Sequence, residues 1–191
     1  MKALELKDIA GYLPYGLCVG GEALDSRNGN AFTTYVMWGL SYNHRADITD
    51  INDEYALEIM TVHTNYLKPI LRPMSDLYEE ITHKGEKFIP ITELSLRLYP
   101  HLTIEANMLV STNECATWET GMLDHRKWKL CYHGYFRLMS YDIITGRPQT
   151  HSINIVLLFD KLNEWMFDYR GLIDAGLAID VNTLTENPYN L

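Results

Sequence analysis

One segment carries apolar residues at steady intervals of three and four. Ile155, Leu158, Leu162, Trp165 and Tyr169 form a single stripe, which predicts an amphipathic helix over 155–169 that Gly171 can end. Leu4, Ile9 and Leu13 fall near helical spacing within 3–13, but Gly11 and Pro14 hold that element to about two turns. Ser75 followed by DLYEEITHKG offers an N-cap, early acids and a closing Gly85, predicting a helix at 76–83. A further helix is expected at 92–99, with Thr92 as its cap and Pro100 as its stop.

The rest of the chain reads as extended. The run from 15 to 40 is rich in strand formers and broken by Ser26, Arg27, Asn28, Gly29 and Asn30, which predicts a hairpin; Gly20-Gly21 reads as a turn. The polar stretch SYNHRADITDINDEY is expected to be a surface loop ahead of a strand at 55–63, and no regular helix fits between Pro69 and Pro73. Residues 86–90 predict a short strand, whereas 102–123 follow neither period. From 127 to 144 aromatic residues alternate in part (Trp128, Leu130, Tyr132) up to the turn signal TGRP at 145–148. This predicts a hairpin whose second half is 150–158, unless that segment begins the last helix. Without a repeat or linker, the expectation is one α+β domain over 1–191.

Charge narrows the function. The 191 residues carry 16 Lys+Arg against 25 Asp+Glu, a formal charge of −9, which disfavours partners held by phosphate counterion release, nucleic acid among them. With 47% hydrophobic residues the chain can bury a real core. No apolar run has signal-peptide or membrane-span length, so a soluble cytoplasmic protein without a membrane partner is expected. Three cysteines, Cys18, Cys115 and Cys131, with no CxxC, fit a reducing compartment better than a disulfide framework.

Four stretches carry a resemblance: LKDIAGYLPYGL (6–17), LKPILRPMSDLYEEI (67–81), GEKFIPITEL (85–94) and LNEWMFDYRGLIDAGLAIDVNTL (162–184). In these the chain resembles uncharacterised small proteins encoded by phages, prophages and mobile elements of gut Bacteroidetes. The resemblance covers about a third of the chain and departs over roughly 95–160, where that family has a shorter, more helical middle, which implies that 95–160 is an atypical insertion. It implies a phage or mobile-element accessory protein and supplies no activity, cofactor or catalytic residue.

The densest reactive collection is Glu119, Asp124, His125, Cys131 and His133. Cys131-x-His133 would share one strand face and could ligate zinc with His125 or Cys115 from a neighbouring segment. The same residues also read as a small buried thiol and a half-buried imidazole, so no metal and no cofactor are expected. Asp124-His125 would be an acid–base pair only on a turn, since neighbours on a strand point to opposite faces. No GxSxG, Walker or dinucleotide loop occurs. Asp47, Asp50 and Asp53 lack the spacing of a calcium loop and, with Glu54, read as a solvated acidic surface. Arg126, Lys127, Trp128, Lys129, Tyr132 and Arg137 interleave cations with aromatics, as a surface for a nucleotide or other anion would. Trp165, Met166, Phe167 and Tyr169 are expected in the core, with a partner or dimer surface as the alternative. Thirteen tyrosines and four tryptophans favour recognition over catalysis. The expected function is a non-enzymatic interaction protein acting through an acidic, aromatic-bearing surface (Asp47, Asp50, Asp53, Glu54) on a host or phage protein. The alternative is a nucleotide-binding protein or small hydrolase using 119–137.

Overall fold

Among the described residues, strand-forming residues alternating with polar ones build two larger, mainly antiparallel sheets and one two-stranded hairpin. A computed structural model describes residues 4–22, 32–41, 45–51, 60–63, 66–98, 109–112, 115–119 and 126–190, and shows the α+β class expected from the sequence. Two compact units form: Met1–Met74 with Leu162–Leu191, and the continuous Ser75–Lys161 that interrupts them in sequence.

In the first unit a short helix α1 (Leu6–Ile9) and a 3-10 turn at Leu13–Tyr15 lead into a six-stranded sheet. Its strands are β1 (Cys18–Glu22), β2 (Phe32–Ser41), β3 (Arg45–Asp50), β4 (Met60–His63), β5 (Lys68–Leu71) and the C-terminal β13 (Ile179–Asp180), in the order β13-β5-β1-β2-β3-β4. The predicted hairpin is β1 and β2, with Val19 opposite Tyr35. Two expectations are corrected. The polar stretch expected as a loop contains β3, because Ala46 and Ile48 are buried on the core face opposite Met37 of β2. Gly20 and Gly21 are not a turn but strand residues under close approach. A Cβ on Gly20 would lie 2.3 Å from the Phe32 ring, and one on Gly21 would lie 2.6 Å from the Tyr66 carbonyl oxygen.

The C-terminal segment completes this unit. Ile179 and Asp180 pair in parallel with Ile70 and Leu71, and Arg72 forms a bridge with Phe167. Arg72 N–H donates to the Met166 carbonyl at 2.7 Å, and Asp168 N–H donates to the Arg72 carbonyl at 2.8 Å. Tyr189 is buried and its hydroxyl donates to the Ile70 carbonyl (2.7 Å) while accepting from Cys18 N–H (3.0 Å). The Tyr12 hydroxyl donates to the Phe167 carbonyl at 2.8 Å, and Asp168 accepts from the amides of Leu172 and Ile173.

The division between units falls inside helix α3 (Ile155–Glu164). The predicted stripe holds only in part: Leu158, Leu162 and Trp165 are buried, but Ile155 at its start is 62% exposed, and Trp165 and Tyr169 lie past the last helical residue. The helix, however, ends well before Gly171. Met166 adopts φ +62°, Phe167 N–H donates to the Leu162 carbonyl and Met166 N–H to the Asn163 carbonyl, the paired bonds of a Schellman stop. A fully buried Met in the position that glycine favours explains why the sequence hides this boundary.

The second unit corrects two helices. The segment expected as a helix at 76–83 is a 3-10 turn at Met74–Tyr78 followed by β6 (Ile81–His83), which pairs with β7 (Glu86–Phe88). Lys84 and Gly85 both have positive φ (51° and 77°), so Gly85 serves a two-residue hairpin turn instead of a helix end. Helix α2 (Pro90–Leu98) starts at Pro90 instead of behind Thr92, with Thr92 and Glu93 amides donating to the Ile89 carbonyl. It buries Ile91, Leu94 and Leu98 and contacts β8, β9 and β10. The five-stranded sheet runs β12-β11-β10-β9-β8, built from β8 (Leu109–Thr112), β9 (Cys115–Glu119), β10 (Arg126–Tyr132), β11 (Phe136–Asp142) and β12 (Pro148–His151). The aromatic run expected as one strand is thus two, β10 and β11. They are joined through His133, Gly134 and Tyr135, where Gly134 takes φ +77°. The segment after β12 divides into coil and the start of α3, so the expected second strand over 150–158 ends at His151.

Two outcomes follow. Trp165 is 3% exposed, so Trp165→Ala is expected to destabilise the protein by about 3–5 kcal/mol in denaturant titration; a loss below about 1 kcal/mol would contradict its burial. Burial pushes the Cys18 thiol up from 9.0 to about 12, against a smaller opposing effect of the Tyr189 hydroxyl, and burial likewise raises the Tyr12 and Tyr189 phenols. The folded state therefore holds protons that the unfolded chain releases. Stability is full below about pH 9 and falls as pH rises toward 12. The denaturation midpoint is expected to drop between about pH 8 and about pH 11, and a flat profile there would contradict it.

Candidate functional site

Alternation along β10 decides what the sequence-predicted ligand residues can do together. Arg126, Trp128, Leu130 and Tyr132 share one face, and Lys127, Lys129 and Cys131 share the other. Trp128 lies opposite Trp118 of β9, the two indoles stacked at 6.4 Å, and its other neighbour is the His151 ring at 4.6 Å. It is 6% exposed, so it is core and offers no open stacking surface. Tyr132 is held by its backbone, whose N–H donates to the Tyr78 hydroxyl and whose carbonyl accepts from it, and its ring packs on Phe136 at 4.9 Å. The six residues singled out in 126–137 are therefore divided: Arg126, Trp128 and Tyr132 on the buried face, and Lys127, Lys129 and Arg137 on the outward one. On that outward side Lys129 stands 5.7 Å over the Tyr141 ring and Arg137 lies over and hydrogen-bonds to Tyr135.

A cleft of about 370 Å³ lies at the end of the sheet, walled by Arg126, Ser140, Asp142, Arg147 and Gln149 among others. Arg126 Nη1 donates to Gln149 Oε1 at 3.0 Å. The Asp142 carboxylate accepts from the amides of Ile144 and Thr145 at 2.9 and 2.8 Å. The Thr145 amide above all, with lesser help from Ile144 and Arg126, holds it below the usual carboxylate range. Sequence reasoning missed one pairing here: Ser140 Oγ and His151 Nε2 are 2.8 Å apart, the contact a hydroxyl nucleophile and its base would make. Ser140 is only 1% exposed, which suits a satisfied buried hydroxyl better than a nucleophile presented to substrate. The signal was the diagonal neighbourhood of two strands, and it depends on a register that the sequence does not state.

The cysteines are placed against expectation. Cys115 and Cys131 are opposite partners on β9 and β10, with Cα atoms 4.3 Å apart, and are joined by a disulfide. The odd count with no CxxC gave no hint of it, because the pairing depends on a strand within the stretch that fits neither period. His133, exposed just past β10, brings its ring nitrogen and the two sulfur atoms within 4.8 Å of one another. Cys18 is buried in the first unit and is not in that group. Asp124 and His125 lie outside the described residues, and Glu119 ends β9.

In the first unit the acidic residues do not form one patch. Asp47 belongs to the outer face of β3, where it accepts from the Thr61 hydroxyl at 2.9 Å, whereas Asp50 shares the register face of Ile48 and lies opposite Tyr35. Asp53 and Glu54 lie outside the described residues. The outer face of β2, β3 and β4 carries Trp38, Arg45, Asp47, Thr49, Thr61 and His63. Trp38 is 61% exposed, yet its Nε1–H donates to Thr49 Oγ1 at 2.8 Å. Tyr66, 68% exposed, meets the His63 ring edge-on at 6.5 Å.

No protein-family model, curated protein or solved structure matches this chain. Among the described residues no helix is long and apolar enough to cross a membrane.

Proposed function

We propose that this protein works by binding, without catalysis, and that the outer face of β2–β4 is its recognition surface. The observation that carries this reading is Trp38. A large aromatic ring stands mostly in solvent while its own hydrogen bond to Thr49 fixes its orientation, so little side-chain freedom remains to be lost on contact. Tryptophan in such a setting is the residue type that most often anchors an interface. Asp47 beside it and the formal charge of −9 favour a partner with a basic contact surface, through steering as much as through contact. In the phage or mobile-element setting that the resemblance implies, that partner is a host or phage protein.

One observation favours a second reading, recognition of an anion by the second unit: Lys127, Lys129 and Arg137 converge on one outward sheet face beside Tyr135 and Tyr141.

The two readings separate experimentally. Proteins retained by the immobilised wild type from host extract are expected to be lost with Trp38→Ala and weakened by Asp47→Ala, with far-ultraviolet dichroism unchanged; retention by all three alike would contradict the first reading. For the second, Lys127→Ala/Lys129→Ala/Arg137→Ala is expected to abolish binding of nucleotides or single-stranded oligonucleotides with little change in stability, since exposed charges each contribute under about 1 kcal/mol. Equal binding by the triple variant, or no binding by the wild type, would contradict it.

A further inference from the structure

We propose that Cys115, Cys131 and His133 form a redox-gated zinc site, closed by the disulfide when oxidised and open as a three-ligand cluster when reduced. The strand register supplies what the sequence spacing lacks. Cys115 and Cys131 project from the same row of the antiparallel β9–β10 pair, so their sulfur atoms remain neighbours whether or not they are bonded. His133 stands two residues beyond Cys131 along the same strand direction, and its ring nitrogen lies within 4.8 Å of both sulfur atoms. Two ligand atoms on a tetrahedral zinc with bonds of about 2.3 Å to sulfur and about 2.0 Å to nitrogen are roughly 3.5–3.8 Å apart, so side-chain rotation alone brings the trio to a common centre. Access is also present: Cys131 is buried, Cys115 is half-buried and His133 is exposed, so a cation enters from the imidazole side.

The chemistry balances with a small dithiol as reductant. Its two electrons break the Cys115–Cys131 bond, its two protons go to the released thiols, and it becomes a cyclic disulfide. Zinc then displaces both thiol protons and takes two thiolates and a neutral imidazole nitrogen, leaving the fourth position to water. Two thiolates and an imidazole form a soft set that selects zinc over magnesium or calcium. Oxidation of the pair removes both anionic ligands at once, which makes zinc affinity a report of redox state. The site lies in the second unit and is independent of the Trp38 surface.

The test uses the full chain and zinc alone. Dithiol-reduced protein, freed of reductant under anaerobic conditions, is titrated with zinc against a chromophoric chelator, beside oxidised protein. One zinc per reduced chain and none per oxidised chain is expected, and cobalt(II) in place of zinc should give a thiolate charge-transfer band. His133→Ala, at an exposed position, should weaken zinc by about tenfold or more, and Cys115→Ser should abolish the charge-transfer band with the fold retained. Cys18→Ser should bind as the wild type does, since that thiol lies outside the cluster. No uptake by reduced protein, equal uptake by oxidised protein, or undiminished affinity in His133→Ala would overturn the proposal.

Discussion

A single phenol hydroxyl holds the first unit together at the place where its sheet would otherwise fail. β1 and β5 pair through Val19 with Pro69 and Gly20 with Lys68, so the next row would set Cys18 against Ile70. The Tyr189 hydroxyl occupies that row instead, accepting from Cys18 N–H and donating to the Ile70 carbonyl. Two backbone groups that burial would leave unsatisfied are thereby paired by a side chain near the end of the chain. The same segment supplies β13 to the outer side of β5, and the Arg72 and Phe167 bridge extends the contact. The sheet that carries Trp38 thus depends on residues more than a hundred positions away.

Alternation governs the candidate surfaces as the Tyr189 hydroxyl governs the pairing of β1 with β5. A strand gives each side chain one of two faces, and a cluster dense in sequence is halved on folding. The cations and aromatics of 126–137 lose Trp128 to the core and keep Lys127, Lys129 and Arg137 outside. Asp47 and Asp50 separate in the same way on β3. Conversely, alternation assembles groups that the sequence scatters: Cys115 joins Cys131, Ser140 joins His151, and Trp38 joins Asp47 on one outer face.

The legible parts of the chain were those fixed by local periodicity. The apolar stripe through Leu158, Leu162 and Trp165 reports a helix directly, and the strand formers around residues 26–30 report the β1–β2 hairpin. Boundaries failed where tertiary packing overrode local preference. Met166 ends α3 with a left-handed backbone because its side chain is fully buried, and Gly85 belongs to a hairpin turn because Ile81 gains more as a buried strand residue than in a short exposed helix. The candidate site was legible as residue types only. Trp38 gave no signal, since nothing in its neighbours states that the outer face of β2 is left open, and the cysteine pair waited on the register of β9.

The central claim is that the Tyr189 hydroxyl replaces a missing rung between β1 and β5, and Tyr189→Phe tests it most directly because it removes one oxygen and keeps the ring. Equilibrium denaturation with hydrogen exchange at the Cys18 amide is expected to show a stability loss of at least about 2 kcal/mol together with faster exchange there, since a buried N–H and a buried carbonyl lose their partner. A loss below about 0.5 kcal/mol with Cys18 exchange unchanged would contradict the account.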